Sequence, residues 1–484
     1  MRKISRKKSK KQKPSDKTKI ILDKFRTRWD FFIYVGRKSY FSSILYLSGL
    51  FFAISGLFFT SLTLSLGSFI GLAGVVFALI GYFHDWSVFK KHEKYDLVIN
   101  YEFSIDNIGM CESDMLIDQG IGEYTRLKVT LNEYENNYDY IFMSSKLNEY
   151  LWDSSHQLKL ELNHTKEDEI AELIKENWDS LSHYLIHSTA VALRDKKAFY
   201  NEKKLCMGNG FRLTEDKSTL IANCSKGSYY DSYLTNNIFE KFLNSTHGDM
   251  DRKYASAAFH NMKPYFNRRD QSKTTSAEAD TLRAFKNLLL NNEFGISTIA
   301  ITRDHYAFQL IQSKRAMASG CLIAPSGSGS CDYEDIHGND FRKSITYAMQ
   351  RELWEEIGFK CPKRDKRQRV EDFGQTYLVG FFRWLKRNGK PEFLGISYID
   401  IDYKEIRPNT AEVKRKAILS EALYTINDFK RYLNRVKNET TPQPISDHIG
   451  VSVPLLACVT ALEELLKDEK TSKKIANILH LKFC

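Results

Sequence analysis

Three glutamates in the C-terminal half of the chain have a spacing that suits metal chemistry. They are Glu352, Glu355 and Glu356, within the segment RELWEEIGF at 351–359. Residues three and four apart lie on one face of an α-helix, so a helix here would bring the three carboxylates together. Close carboxylates repel one another unless a cation is present, and oxygen ligands of this type suit Mg²⁺ or Mn²⁺. A solvated acidic helix face would show the same spacing.

The segment resembles the Nudix signature, in which a Gly, five residues, a Glu and seven residues precede Arg-Glu-apolar-x-Glu-Glu-x-Gly-apolar. The fixed positions of the second half match at Arg351, Glu352, Leu353, Glu355, Glu356, Gly358 and Phe359. The resemblance implies an α/β/α sandwich in which Glu355 and Glu356 bind a divalent metal at a nucleoside diphosphate linkage, supported by Glu352 and Arg351. The candidate catalytic residues are therefore Arg351 and the three glutamates. The glutamates are the candidate metal ligands, for Mg²⁺ or Mn²⁺.

The first half of the signature departs from the family pattern. Lys343 stands where the family has its early Glu, and Gly327-Ser328-Gly329-Ser330 replaces the usual Gly-Gly inside an apparent insertion rich in glycine and serine. Glu334 or Asp335 could fill the vacant acidic position from the loop. Alternatively, the metal chemistry is weakened and the pocket only binds a nucleotide.

The N-terminal part of the chain has the pattern of a membrane anchor. Residues 1–38 carry fifteen Lys and Arg against three Asp, so the whole net charge of +11 lies in this tail. Residues 39–83 contain no charged side chain, and about 20 apolar residues suffice to cross a bilayer. We therefore expect two transmembrane helices, at about 42–60 and 69–83 within 39–84. Basic residues on both flanks predict a two-pass protein of the bacterial inner membrane with both termini cytoplasmic, in contact with lipid rather than nucleic acid.

Between the apolar segment and the Nudix-like part, the sequence indicates a cytoplasmic α+β region at 94–274. Residues 94–163 alternate apolar and polar side chains, as strands do, and 166–205 have helical spacing. This region contains no catalytic constellation. Thr275 and Glu278 could form a capping box that opens a helix through Leu290, at the start of a Nudix-like domain at 275–484. The predicted fold class is thus a membrane protein with a transmembrane hairpin, an α+β intermediate domain and a C-terminal Nudix-like α/β/α sandwich.

This order of parts resembles the transmembrane–Nudix effectors of bacterial CBASS antiphage systems (cyclic-oligonucleotide-based antiphage signalling). The resemblance implies that the Nudix-like domain senses a cyclic nucleotide made by a cognate nucleotidyltransferase. It also implies that the chain forms a homo-oligomer whose hairpins disrupt the inner membrane, which causes abortive infection. The competing hypothesis is a membrane-tethered Nudix hydrolase that cleaves nucleoside diphosphate derivatives with a divalent metal. A third is a scaffold that only recruits partners. No residue is assigned to the nucleotide itself.

Overall fold

The computed structural model describes fourteen stretches of the chain and one isolated residue. These are 16–38, 76, 87–99, 105–113, 121–132, 137–197, 199–238, 241–245, 266–267, 280–312, 322–357, 366–409, 413–416, 421–438 and 450–483. Ten α-helices have defined bounds in these stretches, namely α1 Asp16–Lys38, α2 Ser145–Trp152, α3 His164–Glu176, α4 Trp178–Asp195, α5 Tyr229–Ser232, α6 Phe341–Glu356, α7 Lys366–Glu371, α8 Ile426–Asn438, α9 Val453–Leu465 and α10 Glu469–Ile478.

Strands of 2 to 11 residues and single helical turns lie between these helices. The strands are β1 Tyr95–Ile99, β2 Ile108–Cys111, β3 Thr125–Asn132, β4 Asn137–Met143, β5 Gln157–Leu162, β6 Lys203–Leu213, β7 Thr219–Ser228, β8 Lys241–Ser245, β9 Phe266–Asn267, β10 Asp280–Leu282, β11 Gly295–Thr302, β12 Tyr306–Phe308, β13 Leu310–Gln312, β14 Ile323–Ala324, β15 Gly327–Ser330, β16 Gly374–Trp384, β17 Lys390–Ile399, β18 Val413–Lys416 and β19 Glu421–Ala422. The other turns are 3-10 helices at Ile105–Asn107, Phe285–Asn287, Tyr333–Asp335, Leu385–Arg387 and Tyr403–Glu405, and a π-helix at Tyr233–Asn237.

Among the residues that the structure describes, no helix combines the length and the apolar composition that a membrane crossing requires. Helix α1 has 23 residues but is rich in Lys and Arg. Helix α9 is apolar, but its 13 residues span only about 20 Å, against about 30 Å of hydrocarbon. This finding contradicts the predictions of a membrane fold class and of a two-pass inner-membrane location. The described residues instead form a mixed α/β fold. Residues 42–60 and 69–83, where the two spans were predicted, lie outside the described residues except for Val76.

The described residues fall into two compact units. The first comprises those up to Glu93 together with Ile186–Asn201. In this unit the basic N-terminal segment is a helix from Asp16 onward, where the sequence predicted only a tail. Helix α1 is held by its acidic side chains, because Tyr200 Oη donates to Asp23 Oδ1 at 2.5 Å and the Asn201 backbone N–H donates to Asp30 Oδ2 at 3.0 Å.

The second unit, Lys94–Leu185 with Glu202–Cys484, is built around an eight-stranded sheet. The strand order is β19-β12-β11-β17-β16-β4-β3, and β15 pairs with β11 off this path. Strands β11 and β17 are parallel, whereas β16 and β17 form an antiparallel hairpin that turns at Asn388 and Gly389. Both turn residues have positive φ, at 57° and 76°, a conformation that Asn and Gly tolerate better than other residues.

Helices cover both faces of this sheet. Along β11, Ile299 and Ile301 point into a core formed with α8, α9 and α10, whereas Ala300 points into a second core formed with α6 and α7. This alternation follows from the two-residue period of a strand. The C-terminal part is therefore a three-layer arrangement in which α6 lies against one face and α9 against the other.

The described residues of the region 94–274, apart from Ile186–Asn201, belong to this second unit. Strands β3 and β4, at positions where the sequence predicted strands, extend the large sheet beyond β16. Strands β5, β7 and β6 form a second, three-stranded sheet. The predicted helix running to Leu290 is wrong within the described residues, because Asp280–Leu282 is a strand and Phe285–Asn287 a 3-10 turn.

Candidate functional site

Helix α6 carries the acidic residues and begins at a defined N-cap. The Asp340 carboxylate accepts a hydrogen bond from the Lys343 backbone N–H at 2.8 Å, which satisfies one of the free amides of the first helical turn. The helix then runs to Glu356 and thus contains Arg351 and all three candidate glutamates. Gly358 and Phe359, the last matching positions of the signature, lie outside the described residues.

The glycine- and serine-rich segment is not an inserted loop, as the sequence suggested, but strand β15. It pairs antiparallel with β11 and packs against α6. A Cβ atom on Gly327 would lie 2.6 Å from the Leu353 Cα, and one on Gly329 would lie 2.4 Å from the carboxyl carbon of Glu352. The alternating glycines therefore let the strand backbone approach the acidic face of the helix.

Arg351 lies at the centre of the acidic site and is almost completely buried, with 4% of its side chain exposed. It forms a bidentate ion pair with Asp335, in which both Nε–Oδ1 and Nη2–Oδ2 distances are 2.8 Å. Its Nη1 donates to Glu352 at 2.9 Å and to Glu355 at 3.5 Å. Of the two loop acids that the sequence offered for the vacant early position, Asp335 is thus the one that pairs with Arg351.

The neighbouring carboxylates raise the pKa of Arg351. Burial alone would lower it, but the carboxylates of Glu352, Asp335 and Asp332 raise it well above its ordinary value. The Arg351 side chain therefore stays positively charged. It also donates to the backbone carbonyl of Ser330 at 3.1 Å, which ties α6 to the end of β15.

A second buried cation, Lys204 of β6, was not identified from the sequence. Its Nζ lies 2.6 Å from Asp332 Oδ1 and 3.0 Å from Glu202 Oε2. Asp332 also approaches Arg351 Nη2 at 3.5 Å, so it links the two cations. Lys204 is 128 positions from Asp332, and no local motif connects the two residues.

Glu352 accepts a hydrogen bond from Arg351 at 2.9 Å, and the carboxylates of Glu355 and Asp332 also lie near it. Burial raises the pKa of Glu352 to about 8, with Arg351 acting to lower it and Glu355 and Asp332 acting to raise it further. Glu352 therefore carries a proton for much of the time near neutral pH. The Glu355 side chain is 38% exposed, so it is the most accessible of the three glutamates that the signature supplies.

The third glutamate of the signature points away from solvent. Glu356 is 4% exposed, and its Oε2 accepts a hydrogen bond from the Ser328 backbone N–H at 3.0 Å. Arg351 Nη1, by contrast, contacts both Glu352 and Glu355. The three glutamates thus do not converge. Within the described stretches, no group of three or more Asp, Glu, His or Cys side chains is placed to hold a metal ion.

Lys343 does not join the acidic site. Its Nζ lies 3.7 Å from Glu371 on α7, and the lysine side chain is 56% exposed. Glu334, the other loop acid considered from the sequence, is exposed next to the buried Asp335. The position of the family's early Glu is thus a surface cation in this chain.

A polar cleft of about 570 Å³ lies at the other end of α6. Its lining includes Lys159 of β5, Arg342 of α6 and His156 from the turn before β5. Lys159 forms no ion pair with any described residue. Because α6 has 16 residues, or about 24 Å, the cleft and the glutamates are well separated.

In comparison with known proteins, no family model and no curated protein matches this chain.

Proposed function

We propose that the C-terminal three-layer part is a Nudix-like domain that recognises a nucleotide with linked phosphates, through a divalent cation held at the acidic face of α6. The sequence match at 351–359 and the position of α6 against the large sheet support this proposal. The observation that carries it is the charge balance around Arg351. The ion pairs there join two cations to five carboxylates, namely Arg351 and Lys204 with Glu202, Asp332, Asp335, Glu352 and Glu355.

This surplus of negative charge favours an added cation. With only protein groups present, a proton on Glu352, whose pKa burial and the neighbouring acids raise to about 8, removes one of these negative charges. A divalent cation would neutralise two of the three surplus charges and replace that proton. Mg²⁺ is commonly held by one or two carboxylates together with water and ligand phosphates, so three converging carboxylates are not required. Glu355 and Glu352 are the residues that would hold it, and the cation would draw phosphate oxygens to an otherwise repulsive site.

The site supports nucleotide binding without hydrolysis better than it supports catalysis. Glu356, half of the pair to which the signature assigns the metal, is buried and bonded to the Ser328 amide. Lys343 stands at the early acidic position and faces Glu371 instead. We therefore propose a nucleotide sensor. The cyclic nucleotide, the nucleotidyltransferase and the homo-oligomer of the antiphage effectors remain predictions from the resemblance.

Hydrolysis is the second candidate function, and one contact favours it. The family's early Glu is replaced by Lys343 in this chain. Asp335 instead supplies a buried carboxylate, and it pairs with Arg351. A carboxyl with a pKa near neutrality, such as Glu352, is also suited to proton transfer. A hydrolase of this kind would cleave a nucleoside diphosphate derivative.

The experiment is equilibrium binding of a nucleotide panel to the full-length protein, with each mixture also examined for cleaved product. The panel contains cyclic di- and trinucleotides and linear nucleoside diphosphate derivatives, each with Mg²⁺ and with EDTA. A sensor binds a cyclic nucleotide at least about tenfold more tightly with Mg²⁺ and releases it unchanged. Cleavage of a linear derivative would instead establish the hydrolase.

Two matched variants locate the ligand. Glu355→Gln should abolish the Mg²⁺ dependence of binding, whereas Glu334→Gln, an exposed acid nearby, should leave it unchanged. If Lys159→Gln alone removes binding and Glu355→Gln does not, the nucleotide lies in the cleft at the other end of α6 and the proposed site is refuted.

A further inference from the structure

Helix α1 has an exposed apolar face. Of the ten large hydrophobic side chains that are exposed among the described residues, five lie on this one helix. At about 100° per residue, their positions fall within an arc of about 120°. They are Ile21, Leu22, Phe25, Trp29 and Ile33, and their exposed fractions range from 36% to 67%. A contiguous apolar patch of this kind marks an interaction surface.

The opposite face of α1 packs against the first unit. Thr27 and Phe31 are buried, and the rings of Phe31 and Phe89 lie 5.2 Å apart. Asp23 and Asp30 lie on the same side, where their carboxylates accept the hydrogen bonds that hold the helix to this unit. The apolar face is therefore the outward side of an anchored helix, and both acidic side chains are turned away from it.

Basic side chains border the apolar face on both sides. Arg28 follows one edge of the arc and Arg26 follows the other, each about 20° beyond it. Arg28 is exposed and forms no ion pair with a described residue. The Arg26 side chain is 50% exposed beside Asp30, at an Nε–Oδ2 distance of 3.9 Å. Within residues 20–35, no acidic side chain lies on the outward face, which therefore combines apolar and positive surface.

We propose that the outward face of α1 binds the surface of a lipid bilayer that contains anionic headgroups. An interfacial helix combines a wide apolar arc, which enters the boundary between headgroups and acyl chains, with Lys and Arg side chains that attract lipid phosphates. The rings of Phe25 and Trp29, stacked with their centroids 6.3 Å apart, suit this boundary. The helix lies along the bilayer surface and does not cross it, because its other face is packed against the first unit.

The size of the outward face favours a lipid surface over a second copy of the chain. From Ile21 to Ile33 the face is about 18 Å long, and an arc of about 120° on a helix about 10 Å across is about 10 Å wide. The face therefore covers roughly 200 Å², whereas a stable dimer buries about 800 Å² per partner. A bilayer requires no complementary contour, and each bordering cation adds to its attraction.

The first test is co-sedimentation of the full-length protein with phosphatidylcholine vesicles that contain or lack phosphatidylglycerol. The wild-type protein should bind the anionic vesicles at least about tenfold more tightly than the neutral ones. A double variant, Phe25→Gln with Trp29→Gln, removes two exposed rings and should bind the anionic vesicles at least about tenfold more weakly than the wild type. Met110→Gln, at an exposed apolar position outside α1, is the control and should bind like the wild type. Equal binding by the double variant and the wild type would overturn the proposal.

The second test removes a charge instead of apolar surface, so it does not depend on the folding of the double variant. Arg28→Gln should weaken binding to anionic vesicles about fivefold and reduce its dependence on salt. Lys146→Gln, at an exposed position of α2, is the matched control and should change neither. Unchanged binding in Arg28→Gln would contradict the role of the bordering cations.

Quenching of tryptophan fluorescence by brominated phosphatidylglycerol locates the contact. The wild-type protein should lose a component of its emission that Trp29→Phe lacks, because Trp29 enters the bilayer boundary. Vesicle binding without quenching of this component would mean that another part of the chain makes the contact. A lipid-free dimer that Trp29→Gln converts to a monomer would show that a second copy covers the face. Either result would overturn the proposal.

Discussion

Arg351 and Asp335 form a bidentate ion pair in which both members are more than nine-tenths buried and two N–O distances are 2.8 Å. The pair joins the helix with the acidic signature to the 3-10 turn that follows β15. It thereby fixes the arginine that contacts Glu352 and Glu355. Through this contact, a residue outside the helix determines how the acidic face is arranged.

Removing one member of this pair should destabilise the protein strongly. Asp335→Asn leaves a buried guanidinium without its main counter-ion, and such changes cost about 3–5 kcal/mol. Glu334→Gln, at the exposed neighbouring position, should change the free energy of unfolding by no more than about 0.5 kcal/mol. Urea denaturation of both variants at pH 7 measures the difference. An Asp335→Asn variant as stable as Glu334→Gln would show that the pair contributes nothing to the fold.

The pKa of Glu352 predicts a dependence of stability on pH. Burial, with Glu355 and Asp332, raises this pKa from 4.5 to about 8 despite the contact with Arg351. The folded state thus favours the protonated form, and the resulting stability is fully present below about pH 4.5 and is lost as the pH rises through about 8. The loss amounts to several kcal/mol, at about 1.4 kcal/mol per pKa unit.

Comparison with Glu352→Gln isolates this effect from other titrating groups. Glutamine cannot ionise, so the free energy of unfolding of the variant should decline less between about pH 5 and pH 8.5. Urea denaturation in EDTA at a series of pH values gives both curves without any bound cation. Parallel curves for the two proteins would mean that Glu352 ionises normally.

The close approach of β15 to α6 makes Gly327 intolerant of a side chain. In Gly327→Ala the new Cβ would meet the Leu353 backbone, which cannot move aside as a flexible side chain can. We expect a loss of about 2–3 kcal/mol in the free energy of unfolding. Gly338→Asn is the matched control, because Gly338 has φ +59° but open space around it, and Asn tolerates that conformation. The control should lose less than about 1 kcal/mol, and equal losses in thermal denaturation would argue against the steric account.

Local patterns in the sequence predicted much of the local structure. The helix with the acidic signature and strands β3 and β4 each follow from neighbouring residues, through the period of their side chains. Asp335 was one of two loop candidates for the partner of Arg351. Its neighbour Glu334 has the same chemistry, so only the packing of the turn distinguishes them.

The contacts that the sequence did not reveal connect distant segments. Lys204 meets Asp332 across 128 positions, and β3 and β4 join the large sheet through a pairing with the far end of β16. The Gly-Ser segment looked like a loop because glycine and serine are rare in strands. It forms a strand because it pairs with β11, and it contains glycines because α6 leaves no room for larger side chains. The sequence did not predict helix α1, because the many Lys and Arg residues of 1–38 indicated only a basic tail.

The central claim is that the acidic face of α6 holds a divalent cation in place of the Glu352 proton. Titration of Mn²⁺ into the full-length protein at pH 7, by calorimetry in buffers of different ionisation enthalpy, measures cation binding and proton release together. We predict one bound Mn²⁺ with release of close to one proton in the wild-type protein, and no proton release in Glu352→Gln. Binding without proton release, or no difference between the two proteins, would contradict the account.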